Sequence, residues 1–129
     1  MSIIGDVRRV LQVLRVLQVL AAVVVATTGA AAESRTIAGE VVDVRCYEKA
    51  ADNAGNAHVD CGLSCARRGA TLGILTANGV YTITGEYTAE MNKGLIEFVA
   101  RTVEATGEVT ERNGRRTIRI REIKLKAEG

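Results

Sequence analysis

The chain has 129 residues, of which 47% are hydrophobic and 25% are charged, and its formal net charge is +2. This length allows one ordinary domain preceded by a targeting segment. Residues 1–32 hold three of the 17 basic and one of the 15 acidic residues, so 14 of each remain from Glu33 onward. Because nucleic-acid-binding domains normally carry excess positive charge, a neutral domain argues against that class of protein.

The N-terminal segment has the three parts of a secretory signal peptide: basic residues, an apolar run and a small-residue cleavage pattern. These parts are Arg8, Arg9 and Arg15, the run 16–28, and Ala30-Ala31-Ala32. We predict a signal peptide over 1–32 and one domain over 33–129, periplasmic or secreted. An uncleaved membrane anchor is the alternative, and the only one that brings the chain to a membrane. It is disfavoured because only residues 19–32 lack strongly polar side chains, whereas a span needs about 20 apolar residues.

The first part of the domain predicts a strand, a loop and a short helix. Apolar residues alternate well enough over 36–47 for a strand. Residues 48–59 are rich in Ala, Asn, Asp and Gly without a sustained period, which predicts a loop. The helix that follows has Asn56 or Asp60 as its candidate N-cap and Gly69 as its candidate C-terminal stop.

A first hairpin is predicted around Asn78-Gly79, because both central residues of a type I′ turn need a positive φ. The flanking runs are 72–77 and 80–85, and a two-residue turn there pairs Ile74 with Ile83. Residues 88–99 then predict a helix or helical turn. That segment is expected to carry five apolar side chains into the core: Met91, Leu95, Ile96, Phe98 and Val99.

A second hairpin is predicted around Asn113-Gly114, between alternating residues 103–109 and the closing strand. Four apolar residues of that closing strand change phase: Ile118, Ile120, Ile123 and Leu125. Only an extra residue near Arg121 or Glu122 keeps all four facing inward, which predicts a β-bulge. The whole order predicts a mainly β fold, a five-stranded OB-like small barrel. Its Cys/His-containing short helix is inserted between strands 1 and 2, and a signal helix precedes the domain.

All three cysteines and the only histidine lie between Cys46 and Cys65. On a helix His58, Cys61 and Cys65 share one face, at positions i, i+3 and i+7. The end of the first strand can place Cys46 opposite them. Because cysteine and histidine bind soft or borderline metals, we predict a site for zinc or copper(I) formed by these four residues.

Two other interpretations of the cysteines stay open. In an exported protein, Cys46 can form a disulfide with Cys61 or Cys65 and so staple a structural or interaction domain, presented to an envelope protein. The second interpretation is that the cysteines carry out thiol redox chemistry. The sequence contains no Ser-His-Asp set, carboxylate pair in a glycine frame or phosphate loop that can be argued from its residues, so we do not expect an enzyme.

Several motifs together resemble small exported bacterial OB-fold-like proteins, mostly uncharacterised. The motifs are Cys46-Tyr47, His58-x2-Cys61-x3-Cys65, Gly69, the run 72–75 and the 107–109 strand. The resemblance covers nearly the whole mature chain and implies fold and location, without an activity. The chain departs from it at Thr71, where those proteins are expected to have a proline.

The closing strand also carries a basic run, which invites a nucleic-acid interpretation of the barrel. The register of the predicted hairpin favours a charge-paired solvent face instead, since it places Glu108 opposite Arg119 and Glu104 opposite Lys124.

Overall fold

The structure, a computed structural model, describes residues 7–13 and 32–127. The predicted signal peptide and its alternative, the membrane anchor, lie outside the described residues, apart from the helical stretch 7–13 and residue 32. Among the described residues, no helix is both long and apolar enough to cross a membrane.

Five strands form a closed ring in which every strand is hydrogen-bonded to two neighbours, in the order β1-β2-β3-β5-β4. The strands are β1 (Glu33–Asp43), β2 (Leu72–Thr76), β3 (Gly79–Thr84), β4 (Thr102–Arg112) and β5 (Arg115–Leu125). The pairing is antiparallel except between β3 and β5, which run parallel. The predicted mainly β fold with five strands is therefore confirmed.

Short helices lie in two of the connections. Between β1 and β2 are α1 (Val44–Lys49), a 3-10 turn (Asn56–His58) and α2 (Val59–Arg67). Between β3 and β4 are two 3-10 turns (Glu86–Thr88 and Ile96–Phe98) and α3 (Ala89–Asn92). Helical structure thus lies between strands 1 and 2, as predicted, and also before the fourth strand.

The first hairpin forms where it was predicted, but its predicted register is wrong by two residues. Thr76 lies opposite Gly79, and Ile74 consequently lies opposite Tyr81, not Ile83. The reason is the turn: of the Asn-Gly pair only Gly79 has a positive φ, of 110°. The Thr76 hydroxyl holds this arrangement, since it accepts from the Asn78 amide at 3.1 Å and donates to the Gly79 carbonyl at 2.9 Å.

Both the turn and the bulge predicted for the second hairpin are confirmed. Asn113 and Gly114 have φ values of 50° and 74°, as a type I′ turn requires. The register shifts between Thr106, which lies opposite Glu122, and Gly107, which lies opposite Ile120. Arg121 is therefore the extra residue.

The bulge turns most of the closing strand inward. Ile118 and Ile120 are buried and Ile123 is packed against the core, but Leu125 is 41% exposed. The prediction that all four face inward is therefore wrong at Leu125, which is the last residue of β5.

The predicted register of opposite charges on this sheet is confirmed, although Glu108 forms its ion pair with Arg121, at 3.6 Å, and not with Arg119. Glu108 lies opposite Arg119 and Glu104 opposite Lys124. The Lys124 Nζ is 3.6 Å from a Glu104 carboxylate oxygen. Exposed pairs of this kind each stabilise a fold by at most about 1 kcal/mol, so they define a solvent face more than they hold the ring together.

The segment before β4 forms helical turns, one of the two forms that its apolar pattern predicts, and not a regular helix. Leu95, Phe98 and Val99 are buried as expected, but Met91 is 63% exposed. The backbone explains this, because Glu90, Met91 and Asn92 all have a positive φ, between 51° and 62°. This left-handed turn directs Met91 outward and Asn92 inward.

Candidate metal centre

The candidate site lies where β1 ends and β2 begins. Asp43, the last residue of β1, lies opposite Leu72, the first residue of β2. Helix α1 leaves β1 at this point and helix α2 leads into β2, so antiparallel pairing brings the two helices to the same end of the ring. The Val44 amide, which donates to the Thr71 carbonyl at 3.0 Å, joins the two connections.

Three potential ligands meet at this junction. One carboxylate oxygen of Asp43 and the sulfurs of Cys46 and Cys65 all lie within 4.8 Å of one another. Asp43 is buried, at 7% exposure, and the two cysteines are half-buried. The structure therefore brings together two of the four predicted ligands and adds a carboxylate that was not predicted.

Asp43 has a second role as the N-cap of α1. Its Oδ1 accepts hydrogen bonds from the Arg45 amide at 2.9 Å and the Cys46 amide at 3.1 Å. An aspartate in this position satisfies amides that have no partner inside the helix. This cap ends β1 at residue 43, so the predicted strand over 36–47 is wrong in its last part and Cys46 lies in a helix.

The segment after α1 is held to the site by polar side chains. Asn53 donates from Nδ2 to the Cys46 carbonyl at 2.8 Å. Glu40, on β1, accepts from the Gly55 amide at 3.0 Å, and Gly55 has a positive φ of 75°. The predicted loop over 48–59 therefore begins and ends in helical turns, with a fixed path between them.

Helix α2 positions Cys65. Its N-cap is His58, with no side-chain capping bond, so the predicted caps Asn56 and Asp60 are wrong. The predicted stop at Gly69 is confirmed, because Gly69 has a φ of 83° and follows the last helical turn. Ala66 is fully buried, which anchors the helix on the core next to Cys65.

The C-terminal end of α2 is held by one buried amide. Asn92 is 3% exposed and its Nδ2 donates to the Ala66 carbonyl at 2.9 Å and the Ala70 carbonyl at 2.8 Å. The Ala66 carbonyl, in the last turn of α2, also accepts from the Gly69 amide at 3.0 Å, and Ala70 lies just beyond the helix. The left-handed turn before β4 therefore helps to set the position of Cys65.

The other two predicted ligands lie close to this set without joining it. His58 and Cys61 line a cavity of about 30 Å³ together with Cys46, Asp43 and Glu40. The volume is about that of one water molecule, and most of the cavity lining is apolar. His58 is half-buried and Cys61 is exposed. Cys46 faces both this cavity and Cys65, so it is common to both groups of side chains.

The electrostatic environment opposes ionisation of Cys46. Burial is the main cause that raises the pKa of its thiol, followed by the negative charge of Asp43. The charge of Cys65, the hydrogen bond with Asp43 and the charge of Cys61 make smaller contributions in the same direction. The sulfur of Cys65 has a different neighbour, since Arg68 donates to it from Nη2 at 3.7 Å. A bound cation would reverse the effect of Asp43, because its positive charge favours thiolates.

We expect the metal-free protein to lose stability as the pH rises above about 8.5, the ordinary pKa of a cysteine thiol. A raised pKa means that folded Cys46 keeps its proton where the unfolded chain has released it. Unfolding is then favoured by rising pH until the folded pKa is passed. Urea midpoints at about pH 7.5 and about pH 9.5, with chelator and reductant, measure the effect.

Cys46→Ala should reduce this dependence on pH, whereas Cys61→Ala, which changes an exposed thiol of the same cluster, should retain it. If both variants lose stability between the two pH values as the unchanged protein does, the raised pKa of Cys46 is not its cause.

The donor set has a definite chemical preference. All three cysteines lie in the described part of the chain, and no two of their sulfurs are at bonding distance. Two thiol sulfurs and one carboxylate oxygen match the ligands of zinc, while copper(I) prefers sulfur alone. Zinc at about 2.3 Å from each sulfur holds tetrahedral thiolates about 3.8 Å apart, so closing the group takes a movement of at most about 1 Å.

Asp43 is the residue that sequence reasoning missed. Its signal was the spacing Asp43-x2-Cys46, in which an N-cap side chain folds back toward the third residue of a helix. The strand predicted over 36–47 concealed this signal, because in a strand these two residues would lie on opposite faces.

Comparison of the chain with protein families, with curated proteins and with solved structures finds no significant match.

Proposed function

We propose that this protein is a small exported metal-binding module built on an OB-like barrel. The closed ring of five strands and the helical connection before β4 support the OB-like description. The signal-peptide pattern of residues 1–32 and the resemblance to small exported OB-fold-like proteins support export. The role is to bind a metal for structure or for metal handling, not to catalyse a reaction.

One observation carries the metal proposal: ligand atoms of Asp43, Cys46 and Cys65 lie within 4.8 Å of one another. These three residues would be the first ligands. A fourth would come from the side of the cavity, where His58 and Cys61 lie beside Cys46. Four ligands of this type form a tetrahedral zinc site, in which two thiolates and a carboxylate also offset the positive charge.

Copper(I) is the second metal that the thiols fit. It would be bound by Cys46 and Cys65 with Cys61, and Asp43 would not be a ligand, because a soft cation binds thiolates in preference to carboxylates. The two metals therefore differ in how much they depend on Asp43.

Metal titration of the reduced, chelator-treated protein tests the proposal. We expect one zinc ion per chain, and an affinity about 100-fold lower in Cys46→Ser and in Cys65→Ser, because each variant removes a thiolate. Asp43→Asn is the sharper variant, since asparagine caps a helix about as well as aspartate but lacks its charge. It should lower zinc affinity about tenfold and leave copper(I) affinity nearly unchanged.

His58→Ala and Cys61→Ser should each weaken zinc binding less than the loss of Cys46, since only one of them supplies the fourth ligand. Ser64→Ala, an exposed position on α2, is the matched control and should bind as the unchanged protein does. Absence of stoichiometric binding of either metal, or full affinity in both Cys46→Ser and Cys65→Ser, would refute the proposal.

A further inference from the structure

The two neighbouring sulfurs belong to different helices. Cys46 is on α1 and Cys65 is on α2, with their sulfurs within 4.8 Å of each other. Cys61 is on the same helix as Cys65, one turn earlier, where side chains run parallel and do not converge. A disulfide between Cys46 and Cys65 therefore needs their sulfurs to approach by less than about 3 Å, which favours this pair over one within α2.

The two sulfurs have different neighbouring side chains. Arg68, an exposed residue at the end of α2, donates to the Cys65 sulfur at 3.7 Å in a solvent-exposed contact. A guanidinium in this position stabilises negative charge on a sulfur that attacks a substrate. Cys46 is half-buried like Cys65, and it lines the cavity beside buried Asp43. The guanidinium contact therefore distinguishes the two sulfurs, with Cys65 as the attacking sulfur and Cys46 as the resolving sulfur.

We propose that Cys46 and Cys65 form a reactive dithiol that exchanges with small-molecule disulfides. This function goes beyond metal binding and uses two of the same sulfurs, so a chain with the Cys46–Cys65 disulfide cannot hold a metal through them. Disulfide exchange and metal binding are then mutually exclusive states of one site.

The reaction is balanced without any further oxidant. The Cys65 thiolate attacks one sulfur of the substrate disulfide, forms a mixed disulfide and releases the other substrate sulfur as a thiolate. Cys46 then attacks the Cys65 sulfur, which breaks the mixed bond and releases the second substrate thiol. Two protein thiols are oxidised to one disulfide, one substrate disulfide is reduced to two thiols, and the two protons pass from the protein thiols to the substrate thiolates through solvent.

Oxidised glutathione is the probe for the test. The reduced, metal-free protein is incubated with it, remaining thiols are alkylated, and peptides are mapped by mass spectrometry. The expected product has Cys46 linked to Cys65 and Cys61 alkylated, with two glutathione thiols released per chain. A predominant link that includes Cys61, or glutathione on single cysteines without any internal link, would overturn the proposal. This mapping needs no variant and so does not depend on how well a variant folds.

Variants then separate the two sulfurs. Cys46→Ala is expected to accumulate glutathione on Cys65, because the resolving thiol is missing, while Cys65→Ala should lose the internal link. Ser64→Ala, an exposed position on α2, should form the link at an unchanged rate. The assigned order is wrong if Cys46 attacks first. In that case Cys65→Ala carries stable glutathione on Cys46, and Cys46→Ala carries none on Cys65.

Arg68 is a positioning residue in this scheme. Arg68→Ala is expected to slow the first exchange step about fivefold, and Arg68→Lys should retain most of the rate, because the effect comes from a positive donor. Arg67→Ala, a neighbouring exposed arginine of α2, is the matched control and should react as the unchanged protein does. Equal rates in Arg68→Ala and Arg67→Ala would remove Arg68 from the scheme.

The proposed metal function can fail without this one. Zinc titration of the same reduced protein, before exposure to glutathione, reports metal binding alone. A chain that binds no zinc but forms the Cys46–Cys65 link supports exchange only. A chain that binds zinc but forms no link supports metal binding only. If both occur, bound zinc should slow formation of the link, and the linked chain should bind no zinc through this pair.

Discussion

Replacing Gly107 with alanine is expected to destabilise the fold by about 3 kcal/mol, a large part of the stability of a small domain. Gly107 is on β4 at the bulge, where the two strands approach closely. A Cβ added there would be 2.1 Å from the Arg119 carbonyl oxygen and 2.9 Å from the Ile120 Cα. Both are backbone atoms, so the contact cannot be relieved by rotating a side chain and the ladder between β4 and β5 must open.

Gly114→Ala is the matched control for this substitution. A Cβ at Gly114 has no neighbouring atom within 4 Å, but its φ of 74° still disfavours alanine. The left-handed conformation alone should cost about 1 kcal/mol. Urea denaturation of the three proteins measures both values, and a Gly107→Ala protein no less stable than Gly114→Ala would show that the bulge tolerates a side chain.

Replacing Asn92 with glycine is expected to cost about 2 kcal/mol, because the Ala66 and Ala70 carbonyls lose the amide that donates to both of them. The Ala66 carbonyl keeps the Gly69 amide as a second donor, which limits the loss. Glycine is the informative choice, since it accepts the positive φ of this position without strain. Asn92→Ala adds the strain of a left-handed alanine and should be about 1 kcal/mol less stable still.

The same variant tests how the fold positions the site. Because the Asn92 amide fixes the turn that follows Cys65, Asn92→Gly should also weaken zinc binding, although Asn92 touches no ligand atom in the set. Asn78→Gly, which changes an exposed asparagine of the first hairpin, serves as the control. Wild-type stability in Asn92→Gly would show that backbone conformation, not the amide, is what this position supplies.

Much of the ring could be predicted from local patterns. Alternation of apolar residues identified the strands, and the two Asn-Gly pairs identified the hairpins, because these signals depend on neighbours in the chain. The bulge at Arg121 could also be predicted, since the period of side chains in a strand is two and any change of phase requires an extra residue. The register of the first hairpin could not, because Thr76 provides side-chain hydrogen bonds that select a different turn.

The candidate site, like the ring, could be predicted from the sequence only in part. The sequence by itself showed that every cysteine and the only histidine belong to one segment, since their crowding between residues 46 and 65 is visible without a fold. Only the tertiary structure decided which of them meet. Pairing of β1 with β2 brings α1 and the end of α2 to the same end of the ring, where the Cys46 and Cys65 sulfurs lie within 4.8 Å of each other. Burial of Ala66 and the Asn92 amide determine how α2 lies. Asp43 entered the site for the same reason, because a helix cap depends on where the strand ends, and long-range pairing fixes that point.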